Sequence, residues 1–262
     1  MSDYLHGYHQ SVLGGHRNRT AANSAPHLLP HLRPGQRLLD VGAGAGTITC
    51  DLAAAVAPGE VVAMEVSEQA LELSLAEAAR RGIPLTGAVG DVHALPFDDD
   101  GFDVAHAHQV LQHVSDPVAA LREMARVVRP GGVVAVRESD YGMFAWHPAS
   151  AGLEEWNDLY HRAARALGAE PDAGRHLAAW AAAAGLQATF SGTTWAYAGA
   201  QATDWAEMWV QRVTESGFAA TARTVGATDA DLARLSEAWH AWGAQPSAFM
   251  LVPSIEMVAM VV

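Results

Sequence analysis

The chain contains no lysine. A Walker-type phosphate loop needs one against the phosphates, a pyridoxal enzyme needs one for its Schiff base, and a protein kinase needs one on its nucleotide strand. All three classes are therefore excluded. A single cysteine, Cys50, rules out an internal disulfide and any multi-cysteine metal site. Sixteen arginines face 29 acidic residues, giving a net charge of -13. That balance opposes a general grip on a phosphate backbone, which takes clustered basic side chains, though it leaves room for a local basic groove. No apolar run reaches the roughly 20 residues of a membrane span, and Met-Ser-Asp-Tyr-Leu-His lacks the basic-then-apolar pattern of an export signal. The expectation is a soluble, cytoplasmic protein with no nucleic-acid or membrane partner. With 262 residues, half of them hydrophobic, the chain can bury one sizeable core.

What is present is organised around Arg37-Leu-Leu-Asp-Val-Gly-Ala-Gly-Ala-Gly-Thr-Ile-Thr49. Leu38, Leu39 and Val41 predict a buried parallel strand, Gly42, Gly44 and Gly46 a tight turn, and Thr47 to Ala57 a helix. Strand, glycine turn and helix make the first half of a nucleotide-binding unit. The spacing is G-x-G-x-G; a dinucleotide fingerprint would place its third glycine at Thr47. The loop alone is equally compatible with a cofactor site and a plain turn.

The following residues alternate. Strands are predicted at Glu60–Glu65, Leu85–Val89, Phe102–Ala107 and Val133–Val136, and helices at Glu68–Arg81, capped by Ser67, and from Asp116 through Val128. This predicts an α/β fold with a doubly wound, mostly parallel sheet. Residues 1–32 read as a helical arm, either packed over the ligand edge or simply structural. From Tyr141 the alternation fails: helices are expected at Leu153–Leu167, Ala173–Ala184, Thr203–Ser216 and Thr228–Trp242, with strands at Leu186–Ala198 and Phe249–Val262. We divide one domain, 1–262, into an arm (1–32), a cofactor-binding core (33–140), and lid helices with the last strands (141–262).

In such sheets ligands sit outside the carboxyl ends of the strands. Glu65 ends the second strand, where a carboxylate can receive a ribose diol. Asp91 ends the third, where a carboxylate and the Val92 backbone can meet an adenine. His108 and Gln109 follow the fourth. One acidic residue after a strand is ordinarily solvated; two beside a glycine turn point to a site.

With these residues in place the chain resembles a class I S-adenosylmethionine-dependent methyltransferase of the UbiE-like small-molecule group. The resemblance is carried by Leu39-Asp-Val-Gly-Ala-Gly-Ala-Gly46, Met64-Glu-Val-Ser67, Gly90-Asp-Val-His-Ala-Leu-Pro-Phe97, Phe102-Asp-Val-Ala105 and Arg126-Val-Val-Arg-Pro-Gly-Gly132. It implies a seven-stranded Rossmann-like sheet whose last strand, Phe249–Val262, runs antiparallel. It implies S-adenosyl-L-methionine as cofactor, with its methionine end against Gly42, Ala43, Gly44 and Gly46 beside Asp40, its ribose on Glu65, its adenine at Asp91 between Val66 and Val92, and its sulfonium near the His108 or Gln109 backbone. Tyr8, His16, Arg19 and Thr20 from the arm are candidates for closing over the ligands, and either Arg19 or Arg17 could meet the cofactor carboxylate.

The reaction implied is in-line methyl transfer to a small organic molecule, with secondary metabolism as a setting. Catalysis would rest on positioning, which can supply about 7–11 kcal/mol; a base is needed only for a weakly acidic nucleophile. His108, His113 and His147 are the candidates, and each has a structural reading beside the catalytic one. His106 and His108 share a strand face, and His113 matches a recurrent family position. Asp98-Asp-Asp100 reads as a solvated turn, so no metal is expected. Tyr141 to Trp156, with Trp195, Tyr197, Trp205 and Trp209, would line the substrate lid and favour an apolar or aromatic acceptor; ordinary core is the competing reading. A monomer and a homodimer are both compatible. The rival functions are an NAD-dependent oxidoreductase, opposed by the glycine spacing and the missing lysine, and a cofactor-binding scaffold without turnover.

Overall fold

The computed structural model describes residues 18–262. Short apolar runs form a sheet: β1 (Leu38–Val41), β2 (Val61–Glu65), β3 (Thr86–Val89), β4 (Phe102–His108) and β5 (Val128–Ser139) are mutually parallel. β6 (Ala145–His147), β7 (Ala188–Ala198) and β8 (Phe249–Met260) complete it. The order is β3-β2-β1-β4-β5-β8, with β7 and β6 both on β8, and β8 runs antiparallel to all three of its neighbours. The expected reversal of the last strand is therefore present. The described sheet has eight strands rather than seven, the extra one being β6, three residues paired to the start of β8. β5 also begins earlier than the apolar run Val133–Val136, because Arg129-Pro-Gly-Gly132 passes through the strand with Gly131 at φ +79° instead of reversing the chain.

Alternation along each strand divides the core. Leu38, Val104 and Ala135 face α1 (Ala21–Ser24) and α2 (Thr47–Val56), against Leu28, Leu52 and Val56. Leu39, Val41, Val134 and Val136 face the opposite way, against α4 (Pro117–Arg126) and α6 (Ala173–Ala184). Between them in sequence, α3 (Glu68–Arg81) starts on the Ser67 hydroxyl, which accepts the Ala70 N–H at 3.3 Å, and stops at Gly82 with φ +68°. A third cluster joins α5 (Ala151–Ala166), α7 (Ala200–Glu215), α8 (Gly217–Thr224) and α9 (Asp229–Gly243) around Trp156, Trp209 and Trp239. Trp156 meets the other two edge-on, at 4.4 and 4.8 Å between centroids. α8 had no counterpart in the sequence reading, because Ser216 both ends α7 and caps the new helix, accepting the Phe218 N–H at 3.2 Å. No helix among the described residues is long and apolar enough to cross a membrane.

The glycine turn is held by contact as well as by backbone freedom. Gly42, Gly44 and Gly46 have φ of +70°, +57° and +76°. A Cβ on Gly46 would lie 2.7 Å from the Ser74 Cα and 2.9 Å from its carbonyl oxygen, and the Ser74 hydroxyl donates to the Gly44 carbonyl at 2.8 Å. Left-handed strain and overpacking against a helix backbone act together here. We expect Gly46→Ala to lower the unfolding free energy by about 2–5 kcal/mol, measured by urea denaturation; a loss below 0.5 kcal/mol would show that α3 yields freely.

Candidate active site

Over the carboxyl ends of β1, β2, β4 and β5 lies one cavity of about 1040 Å³. The glycine turn and Glu65 wall one end. The turn is pinned to β2, since the Gly42 and Ala43 N–H groups donate to the Met64 carbonyl at 2.8 and 3.2 Å. The Gly44 N–H donates to Glu65 Oε1 at 2.6 Å and the Val66 N–H to Oε2 at 3.3 Å. Burial pushes the Glu65 carboxyl above its ordinary range, against those two backbone donors and with the Asp40 charge adding to the rise. A Cβ on Gly44 would meet nothing nearer than the Gly42 oxygen at 3.9 Å, so the backbone there is open to a ligand. Val66, half exposed, and Val92, buried, both line the same end.

Asp91 also lines this end, with a largely exposed side chain. Its Oδ1 accepts the His93 backbone N–H at 2.9 Å and faces His93 Nδ1 at 2.7 Å; the backbone bond is the main reason its pKa lies below the ordinary value. Asp40 lines the cavity as well. Its carboxylate is buried beneath the turn, accepting the Thr49 hydroxyl at 2.5 Å and facing His106 Nδ1 at 2.7 Å. Both oxygens are engaged, so Asp40 braces β1, α2 and β4 together.

After β4 the chain turns sharply at Gln109, φ +56°. Its N–H donates to the Arg137 carbonyl at 2.7 Å, its side-chain amide donates to the Ser139 hydroxyl, and its Oε1 accepts from Arg19 at 2.6 Å. The next turn is held from below by Glu138, fully buried, whose Oε1 accepts the Val110 and Leu111 N–H groups at 2.9 and 2.6 Å and whose Oε2 accepts that of Gln112 at 3.4 Å. Burial outweighs these donors and raises the Glu138 pKa to about 8.

The three candidate bases separate. His108 lines the cavity, with Nε2 3.0 Å from Arg137 Nη1 and Nδ1 3.5 Å from Arg19 Nη1. His113 lines it too, but desolvation, with the Arg19 charge second, lowers its pKa to about 3, so it accepts protons poorly at neutral pH. His147 is exposed on β6, outside the cavity wall; the chain leaves the pocket at Phe144 and runs along the sheet edge. Of the arm residues, Arg19 reaches the cavity, and Thr20 is spent as the cap of α1, its hydroxyl accepting the Asn23 N–H at 3.2 Å. Tyr8, His16 and Arg17 lie outside the described residues.

The far end of the cavity is aromatic. Tyr141 stacks on Phe144 at 4.5 Å, Tyr197 stacks on Trp205 at 4.5 Å, and the Trp195 ring lies 6.1 Å from that of His108. Trp156 and Trp209, by contrast, are core of the helical layer. Sequence reasoning named Trp205 but missed that Gln201, Trp205, Met208 and Arg212 form one α7 stripe along the cavity, a signal present in their spacing. It also missed Arg137, Glu138 and Glu256, three buried charges on β5 and β8. Among the described residues no cluster suits a metal, and Asp99 of the acidic triplet pairs with Arg126 at 2.7 Å.

Residues 39–136 match the family described as methyltransferase domain. An uncharacterized methyltransferase of Schizosaccharomyces pombe is 33% identical over 255 residues, 91% of this chain and 89% of the relative. A demethylmenaquinone methyltransferase of Mycolicibacterium paratuberculosis is 38% identical over 171 residues, 62% of this chain and 69% of the relative. The solved structure of a geranyl diphosphate methyltransferase in complex with SAM shares the fold, with a TM-score of 0.56 and 18% identity over 96% of this chain and 89% of that one.

Proposed function

The chain belongs to the S-adenosylmethionine-dependent methyltransferases, and from that membership we propose that it methylates a small, apolar or aromatic organic molecule in the cytoplasm, in the manner of secondary metabolism. One observation carries the reading: a single cavity joins the Gly42–Gly46 turn and Glu65 at one end to the Tyr141, Tyr197 and Trp205 chamber at the other. The name of one relative, a demethylmenaquinone methyltransferase, supports an organic acceptor. The NAD oxidoreductase reading loses its ground with the family.

The residues present suit the cofactor. Open glycine backbone would lie along its methionine end, Glu65 would accept the ribose hydroxyls, Asp91 would accept the adenine amino group, and Val66 and Val92 would flank the ring. When bound, S-adenosylmethionine supplies a methyl group activated by its sulfonium. The chain's own part is to hold the acceptor in line and exclude water. Aromatic faces at the chamber favour a cation nearby.

Calorimetric titration with S-adenosylmethionine, S-adenosylhomocysteine and NAD in parallel tests the assignment. Binding of the first two and not NAD is expected; binding of NAD alone overturns it. In the same titration Asp91→Ala should weaken S-adenosylhomocysteine by roughly three- to tenfold, since an exposed carboxylate contributes a solvent-screened bond. An unchanged affinity would remove Asp91 from the adenine site.

A further inference from the structure

Tyr141 and Phe144, at the aromatic end of the cavity, sit on the short turn that follows β5. Bonded to this turn is the connection between α5 and α6, residues 167–172, none of which lines the cavity. Two backbone bonds tie the connection to the cavity wall. The Glu170 N–H donates to the Gln112 carbonyl at 2.9 Å, and the Tyr141 N–H donates to the Pro171 carbonyl at 3.1 Å. Asp172 adds a third tie through its side chain. Its Oδ1 accepts the Gly142 N–H at 2.7 Å and lies 2.9 Å from His161 Nε2, while Oδ2 accepts from Arg165 Nη2 at 3.1 Å. The partners of that carboxylate are fixed in turn. His161 Nδ1 faces the Asn157 carbonyl at 2.7 Å on the same helix, and Glu170 Oε1 accepts both Arg165 Nη2 at 3.3 Å and the Asp172 N–H at 3.0 Å.

We propose that Asp172 is a positioning residue for the methyl acceptor: through the Gly142 N–H it sets where the Tyr141 and Phe144 rings stand in the cavity. A Cβ on Gly142 would lie 2.8 Å from Asp172 Oδ1, so the bond needs a residue without one. The start of the turn is pinned separately. Asp140, completely buried, takes the Arg175 guanidinium at 2.5 and 2.7 Å and the Arg175 N–H at 3.1 Å. Beyond that anchor, a charge-assisted bond at Gly142 is a strong constraint on the path of the turn. The rings follow the backbone. Tyr141 stacks between Phe144 at 4.5 Å and Tyr160 at 4.0 Å, and the Phe144 N–H donates to the Tyr141 carbonyl at 3.3 Å, so a shift of the turn reaches both rings. That these rings meet the methyl acceptor rests on the proposed function; their placement by Asp172 does not.

The chain has five tyrosines, and 3-fluorotyrosine labelling gives each a ¹⁹F line, that of Tyr141 being the one lost in Tyr141→Phe. Asp172→Ala and Gly142→Ala should both move this line. Asp172→Asn keeps an oxygen for the Gly142 N–H and should return it toward the parent position. The binding probes are 2-naphthol for the aromatic end and S-adenosylhomocysteine for the glycine-turn end. Asp172→Ala should weaken 2-naphthol by about three- to tenfold, the worth of an aromatic contact, and leave S-adenosylhomocysteine within about twofold. Added to Tyr141→Leu, it should cost 2-naphthol nothing further, because the ring it positions is gone. A Tyr141 line unmoved by Asp172→Ala and Gly142→Ala overturns the proposal. So does an equal loss for the two probes, which would make Asp172 a general brace of the fold. Should Asp172→Ala not fold, Gly142→Ala and Asp172→Asn decide by the same spectra. A wild type that does not bind 2-naphthol counts against the acceptor reading alone, and the ¹⁹F lines still decide the placement.

Discussion

Glu65→Ala should abolish practical binding of S-adenosylmethionine while the unfolding transition stays close to that of the parent chain. Among the described residues the carboxylate holds no helix and no core group; it accepts two backbone N–H groups, from Gly44 and Val66, at the rim of the cavity. A ribose diol placed on it makes two charge-assisted hydrogen bonds, each about 1.5–3 kcal/mol, so their joint loss is a roughly 10²- to 10⁴-fold drop in affinity. Glu65→Gln, similar in shape but uncharged, should fall between. Burial raises the pKa of this carboxyl, and the diol prefers the ionised acceptor. Cofactor affinity should consequently strengthen as pH rises through that raised value, and Glu65→Gln should lose this dependence. Calorimetry at several pH values reads both effects. An alanine variant that binds like the parent would detach the ribose from Glu65.

The second large effect concerns stability. Glu138→Leu should lower the unfolding free energy by roughly 3–6 kcal/mol, because three buried N–H donors lose their acceptor at once. The pH dependence has a definite sign. A carboxyl whose pKa is about 8 in the folded chain and near the ordinary 4.5 when unfolded keeps its proton in the fold while the unfolded chain gives it up. Below pH 4.5 both states are protonated and the group has no effect. Between pH 4.5 and 8 its contribution falls by about 1.4 kcal/mol per unit, and above pH 8 it levels off. Glu138→Gln retains an oxygen for Val110 and Leu111 and cannot ionise. Its stability, relative to the parent, should therefore improve steadily from pH 5 to pH 8 in urea titrations. Parallel curves for the two proteins would mean that Glu138 is ionised in the fold.

The first half of the fold was legible because its signals are local. Apolar runs bounded by glycine and proline placed β1 to β4 within a residue or two, and Ser67 and Gly82 marked the ends of α3 correctly. The cofactor-site candidates Gly42, Ala43, Gly44, Glu65 and Asp91 line one cavity for the same reason, since each follows directly from where a parallel strand stops, while Gly46 packs on the Ser74 backbone instead. Side-chain roles depend on pairing partners far along the chain and were not legible. Nothing near Asp40 in sequence shows that His106 and Thr49 engage its carboxylate, and Arg137 meets Glu256 only because β8 returns beside β5. His147 looked like its neighbours Tyr141 and Phe144 by composition, but a three-residue strand carries it to the surface. α8 stayed hidden because its eight residues lack a start signal stronger than a serine already ending another helix.

The two stripes of α7 have a consequence for how such a protein changes over generations. Ala202, Ala206, Trp209 and Val213 anchor the helix in the tryptophan core, and Gln201, Asp204, Trp205, Met208 and Gln211 border the chamber from the other side. Trp205 and Met208 also pack on the core cluster, but Gln201, Asp204 and Gln211 are exposed, and exposed positions ordinarily tolerate exchange at a cost within about 0.5 kcal/mol. If this end of the cavity takes the methyl acceptor, preference for it can drift through those exposed positions, with the glycine-turn end and the fold's stability carried along. Selection for a new acceptor would find its raw material there, at the exposed positions of a single helix.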